Sequence, residues 1–235
     1  MTKLLTLLIS VMTVAATFGQ ETKLQEDLAL KYLVQLPSEK SAHPPVIILL
    51  HGYGSDERDL FGLKNDFPKN YLIVSARAPY PVSGAGYQWY DMNASADKRN
   101  AEVTSDRHLV RQFITQVTAK YKADTKSVYL MGFSQGAIMS YEVGLTDPEL
   151  LKGIGVLSGK ILPPLKPLVK NTPALKPLRI FISHGTKDDR IPFDDGRSAS
   201  DFLKGMGLKP EFHQYAGMGH TISNDVLADL MKWLK

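Results

Sequence analysis

The chain has 235 residues, a formal net charge of +4, 43% hydrophobic and 22% charged residues, ordinary values for one globular domain. Its 28 basic residues are scattered rather than blocked, which argues against nucleic-acid binding. It contains no cysteine, which excludes thiol nucleophiles, disulfides and cysteine-ligated metals and leaves hydroxyl chemistry as the route to covalent catalysis.

In chain order, Lys3 precedes an apolar run of 13 residues, 4–16, and then Thr17-Phe18-Gly19, with small residues at the cleavage-determining positions. The run is shorter than the ~20 residues that span a bilayer. Residues 1–19 are therefore expected to be an export signal, with an uncleaved N-terminal anchor as the competing reading. No cysteine follows the apolar run, so a lipid-anchored form is excluded. Residues 20–235 are expected to form a single catalytic domain, periplasmic or secreted, without stable membrane insertion.

Residues 30–36 alternate apolar and polar side chains, as a half-exposed edge strand does. Residues 46–50 and 71–75 are continuous apolar runs that suit buried parallel strands. A long loop rich in aromatics covers 79–99, and helical spacing follows at 104–121, with Ser105 as its N-cap. Strands are expected at 128–131, 153–157, 178–183 and 209–215, and helices after residue 134, at 196–203 and at 221–234. The prolines between 162 and 177 predict an extended loop. Strands alternating with helices imply a mostly parallel sheet with helices on both faces and no cap domain.

The chemistry concentrates where strands end, since ligands of such sheets gather beyond the carboxyl ends of the strands. Gly132-Phe133-Ser134-Gln135-Gly136 lies between an apolar strand and a helix, the setting of a nucleophile elbow. The loop His51-Gly52-Tyr53-Gly54 offers a backbone N–H for an oxyanion hole, assigned to Tyr53, and the residue after Ser134, Gln135, offers the second. After the strand at 178–183 come His184-Gly185-Thr186-Lys187-Asp188-Asp189, two aspartates of which one can orient a base. Gly217-Met218-Gly219-His220 places a histidine in a glycine-flanked loop, where a mobile base belongs. His51 and His184 read as loop braces, and His43, His108 and His213 as surface or partly packed residues. Tyr87, Trp89 and Tyr90 are expected to wall the substrate pocket.

The order serine, aspartate, histidine is that of the α/β-hydrolase fold. Together with Leu50-His51-Gly52-Tyr53-Gly54, Arg77-Ala78-Pro79, Trp89-Tyr90-Asp91, Leu157-Ser158-Gly159 and Gly219-His220, the chain resembles the compact carboxylesterase, phospholipase and acyl-protein thioesterase family from about residue 46 onward. In that family the acid falls three residues after the glycine of the His-Gly pair, which implies Asp188 rather than Asp189. The resemblance likewise implies Tyr53 and Gln135 as the oxyanion donors. Many relatives continue with proline where this chain has Asp189-Arg190. The expected function is hydrolysis of a small carboxylic ester or thioester by Ser134, Asp188 and His220 through an acyl-enzyme, with no metal or organic cofactor. A carbohydrate or feruloyl-type esterase, a lactonase, a peptidase and a non-catalytic exported binding protein are the alternatives on the same scaffold.

Overall fold

The computed structural model describes residues 23–84 and 86–235, so the expected export signal at 1–19 lies outside the described residues. Strands and helices alternate as β1 (Tyr32–Gln35), β2 (Val46–Leu50), α1 (Arg58–Phe61), β3 (Leu72–Ala76), β4 (Tyr80–Pro81), β5 (Tyr87–Gln88), α2 (Ala96–Lys120), β6 (Val128–Phe133) and α3 (Gln135–Thr146). There follow β7 (Gly153–Leu157), β8 (Arg179–Gly185), α4 (Phe193–Gly205), β9 (Glu211–Tyr215) and α5 (Asn224–Leu234). The sheet runs β1-β3-β2-β6-β7-β8-β9; only β1 is antiparallel to its neighbour.

The apolar strands serve two faces at once. Val46, Ile48 and Leu50 of β2 point into one core with Phe113 of α2, Met139 of α3 and Leu203 of α4. Ile47 and Leu49 point the other way, toward Leu60 of α1 and Leu230 and Trp233 of α5. Register matters most for the site. Leu50 pairs with Gly132, Gly132 with Val156, and Leu157 with Ser183, so the loops after β2, β6, β7 and β8 leave the sheet side by side.

Three local expectations are corrected. β1 is an edge strand, but Tyr32, Leu33 and Val34 are all buried. Tyr32 stands edge-on to Phe113 at 5.4 Å, and its hydroxyl meets Lys120 Nζ at 2.8 Å and the Tyr121 hydroxyl at 3.0 Å. The tyrosine's polar tip is thus satisfied while its ring is covered. Helix α2 starts at Ala96, capped by Ser95, whose hydroxyl accepts from Lys98 N–H at 3.4 Å, and not at Ser105. Its opening turns are charged and solvent-facing, so apolar spacing marks it only from Val103 onward. The proline-rich stretch contains a six-residue 3₁₀ helix, Pro163–Leu168, because prolines at its first positions give up N–H groups that have no helical partner anyway.

Asp106 of α2 is buried, with one carboxyl oxygen unpartnered among the described residues and the other accepting from the Tyr80 hydroxyl at 3.3 Å. Burial pushes its pKa up to about 7, against which the Tyr80 bond works. An acid that ionises near 3.8 in the unfolded chain and about 7 in the fold stabilises the protein fully below 3.8, and that contribution is lost as pH rises through 7. Asp106→Asn is therefore expected to raise stability at pH 8 by about 1–2 kcal/mol, with the gain shrinking toward pH 5 in parallel denaturant titrations.

Candidate active site

Ser134 joins β6 to α3 with φ 55° and ψ −114°, a conformation that L residues rarely adopt and that costs on the order of 1–3 kcal/mol. Two glycines make the turn possible. A Cβ on Gly136 would strike the carbonyl oxygens of Leu50 and His51, and one on Gly132 would strike the Gly136 backbone. Helix α3 can thus begin directly against the end of β2. Ser134 N–H donates to Leu157 O at 2.9 Å, which ties the turn to β7. Ser158, itself at φ 54°, donates from its N–H to Ser183 O at 2.9 Å and extends the tie to β8.

His220 and Ser134 line one cleft of about 980 Å³. His220 Nδ1 lies 2.8 Å from Asp188 Oδ2, and Asp188 Oδ1 accepts the N–H groups of Arg190 and Ile191, both at 2.9 Å. Burial works to raise the Asp188 pKa, but the bonds from His220 and from the two amides hold it below the usual carboxylate range. An ionised Asp188 fixes Nδ1 as the donor and turns the bare Nε2 toward other groups. The Phe133 ring packs on the imidazole at 4.8 Å between centroids. Ser134 lines the open cleft, and its hydroxyl makes no hydrogen bond among the described residues.

Asp189 differs from its neighbour: it is exposed, lines the cleft and makes no hydrogen bond to His220 among the described residues. His184 braces the acid loop. Its Nε2–H donates to Ile191 O at 2.8 Å and lies 3.5 Å from Asp188 Oδ2, while Gly196 of α4 presses so closely on the ring that a Cβ would collide with it. His51 is also a brace. Its Nε2 accepts from Ala78 N–H at 3.1 Å, so Nδ1–H donates to Gly52 O at 2.7 Å, and burial lowers its pKa and keeps it neutral.

The N–H groups of Tyr53 and Gln135 have no acceptor among the described residues, and both residues line the cleft. The loop that carries Tyr53 is held by β5: Gly54 N–H donates to Tyr87 O at 2.9 Å, and Tyr87 N–H to Ser55 O at 2.7 Å. Here the expected pocket wall needs correction. Tyr90 lines the cleft; Trp89 and Tyr87 do not. Trp89 is fully buried, its indole N–H donating to His51 O at 2.9 Å. Tyr87 lies under the Arg77 guanidinium, 4.6 Å from its ring centroid, and accepts from Arg77 at 3.1 Å.

Over residues 33–235 the chain matches the model of the phospholipase/carboxylesterase family. It belongs to that family. The esterase is 37% identical over 204 residues to the carboxylesterase SOBER1 of Arabidopsis thaliana, covering 80% of this chain and 89% of the relative. It is 28% identical over 222 residues to an acyl-protein thioesterase 1 of Yarrowia lipolytica, covering 86% and 95%. Among solved structures, esterase PE8 superposes with a TM-score of 0.76 at 32% identity, covering 88% of this chain and 97% of that one. A carboxylesterase from Mesorhizobium loti shares the fold at a TM-score of 0.79 and 21% identity, covering 91% and 98%. The fold is accordingly that of the α/β-hydrolases, and family membership makes the chain a carboxylic ester hydrolase.

Several side-chain roles around the esterase's site were not announced by the motifs. The Gln135 side chain accepts from Trp89 N–H and donates to Tyr90 O, both at 2.8 Å, clamping the 89–90 loop to the start of α3. Glu57, fully buried, receives Arg77 through two bonds of 2.6 and 2.7 Å, and this pair locks the Tyr53 loop to the end of β3. Burial opposes ionisation of Glu57, but the Arg77 bonds outweigh it and lower its pKa. The one available signal was an acid and a base just beyond consecutive strands. Arg77→Met leaves Glu57 buried with only the exposed Arg58, 3.9 Å away, as a counter-charge, which costs about 3–5 kcal/mol. It is expected to lower both the melting temperature and kcat. Glu57→Gln with Arg77→Met should recover much of the melting temperature; a double variant melting below the single one would exclude this role for the pair.

Proposed function

We propose that the esterase hydrolyses a small carboxylic ester or thioester through Ser134, His220 and Asp188. The observation that carries this reading is the 2.8 Å His220–Asp188 hydrogen bond at the edge of the cleft that Ser134 also lines. His220 Nε2 takes the hydroxyl proton as Ser134 Oγ attacks the carbonyl carbon, and ionised Asp188 stabilises the imidazolium. The carbonyl oxygen becomes an oxyanion between the N–H groups of Tyr53 and Gln135, each worth about 3 kcal/mol in the transition state. The imidazolium then protonates the leaving alcohol or thiol. Water, deprotonated by His220, attacks the acyl-enzyme, and collapse releases the acid and restores the Ser134 hydroxyl. Relatives named as thioesterases support including thioesters. The apolar segment at 4–16 supports an exported protein that begins at Gln20 after cleavage. Among the described residues no helix is long and apolar enough to cross a membrane.

Ser134→Ala is expected to abolish turnover of p-nitrophenyl acetate and butyrate and labelling by a fluorophosphonate. Full activity in that variant would remove the reading. Asp188→Asn should lower kcat by about 10³–10⁴, since it leaves His220 in the wrong tautomer, and Asp189→Asn by far less. The opposite ranking would reassign the acid.

A further inference from the structure

The strand order puts Ser134 in the middle of the cleft and divides the walls by chemistry. On the side of β2 and β3 the lining residues are Tyr53, Tyr90 and Met92, with Asn93. On the side of β7 and β8 they are Lys160, Asp189 and Arg190, with Ile191. An ester lying across the nucleophile therefore meets aromatic and apolar surface with one half and charge with the other.

The charges are not equivalent. Lys160 pairs with Asp195 of α4 at 3.4 Å. The Arg190 side chain has neither an acidic partner nor a hydrogen bond among the described residues, although it lines the cleft. Its backbone is nonetheless fixed, because Arg190 N–H and the next N–H, of Ile191, both donate to Asp188 Oδ1. The root of the guanidinium is thus held two residues from the triad acid before any ligand arrives. The first turn of α3, twelve residues long, contains no acidic side chain, so its N-terminus adds positive potential beside Ser134. Asp189 is the opposing charge. It is exposed, and it sits where its removal would leave Arg190 stronger.

We propose that Arg190 receives an anionic group, carboxylate or phosphate, carried by the ester substrate. The proposal rests on the reading of Ser134 as nucleophile and names the substrate class for that site. A guanidinium with no internal partner offers paired N–H donors to such a group without breaking an existing bond. A neutral polyol would draw on Asp189 and Asn93 as much as on Arg190, so the two substrate classes respond oppositely to loss of Asp189.

The test is the ratio of kcat/KM for matched anionic and neutral esters. One pair places the anion in the acyl half, p-nitrophenyl hemiglutarate against p-nitrophenyl butyrate. The other places it in the leaving group, 4-acetoxybenzoate or 4-acetoxyphenyl phosphate against phenyl acetate. In the pair where the wild type favours the anionic member, Arg190→Gln is expected to lower the ratio about tenfold, and Arg190→Lys to lower it less. Asp189→Asn is expected to raise it several-fold, and 0.5 M salt to reduce it. A wild type that favours the neutral member of both pairs, a ratio that moves less than twofold in Arg190→Gln, or a fall in Asp189→Asn would each overturn the proposal. Fluorophosphonate labelling and butyrate turnover separate the two readings. If both occur and the ratio does not respond, only the anion site falls; if neither occurs, the nucleophile assignment falls and takes the anion site with it.

Discussion

The close approach of α3 to the end of β2 is the constraint on which the rest of the site depends. Gly136 lies against the Leu50 and His51 carbonyls with no room for a methyl group, and Gly132 lies against Gly136. Because the helix starts there, Ser134 is thrown into its left-handed turn, Gln135 N–H is left without an acceptor at the helix N-terminus, and the Gln135 side chain reaches the 89–90 loop. The parallel register then places the loops after β7 and β8 alongside. One packing contact between a strand end and a helix start thus positions Ser134, the Gln135 backbone and the Tyr90 wall of the cleft together.

Around that contact the structure uses buried polar groups as fasteners, held by backbone or by an opposite charge, although His184 Nδ1 has no partner among the described residues. His51 ties the β2 loop to Ala78, His184 ties the acid loop to Ile191, and Glu57 with Arg77 ties the Tyr53 loop to β3. None of the three needs to touch substrate. Their common effect is to hold backbone amides and one carboxylate in place before substrate arrives, which is the form of preorganisation that lowers a transition state without reorganisation at the moment of reaction. A chain without cysteine achieves this rigidity with hydrogen bonds and packing alone.

Much of this was legible in the sequence, and the exceptions have physical causes. Val46–Leu50 and Gly153–Leu157 announced themselves because strands covered on both faces must be apolar throughout. Ser134 and His220 could be singled out because each sits just past a strand end, whereas only the family resemblance separated Asp188 from Asp189; the structure bonds Asp188 to His220, which shares a cleft with Ser134. The aromatic loop was misread at Trp89 and Tyr87, since an aromatic side chain does not reveal whether it faces a cleft or a core. Trp89 has an indole N–H that only a buried acceptor explains, and Tyr87 supports a guanidinium. The start of α2 was missed because residues exposed to water carry no period to read. Glu57 and Arg77, 20 residues apart, become a pair only through the tertiary fold.

The two walls of the cleft differ in how they are fastened, and this bears on how the enzyme can be altered. Tyr90 is bound through its backbone to Gln135 and sits beside the buried Trp89, so changes there disturb the start of α3 next to Ser134. Asp189 and Arg190 are exposed tips whose side chains support nothing else among the described residues. Side chains on the β8 side can therefore be exchanged one at a time without breaking a fastening contact, which makes that loop the natural place for a library and the aromatic loop a poor one.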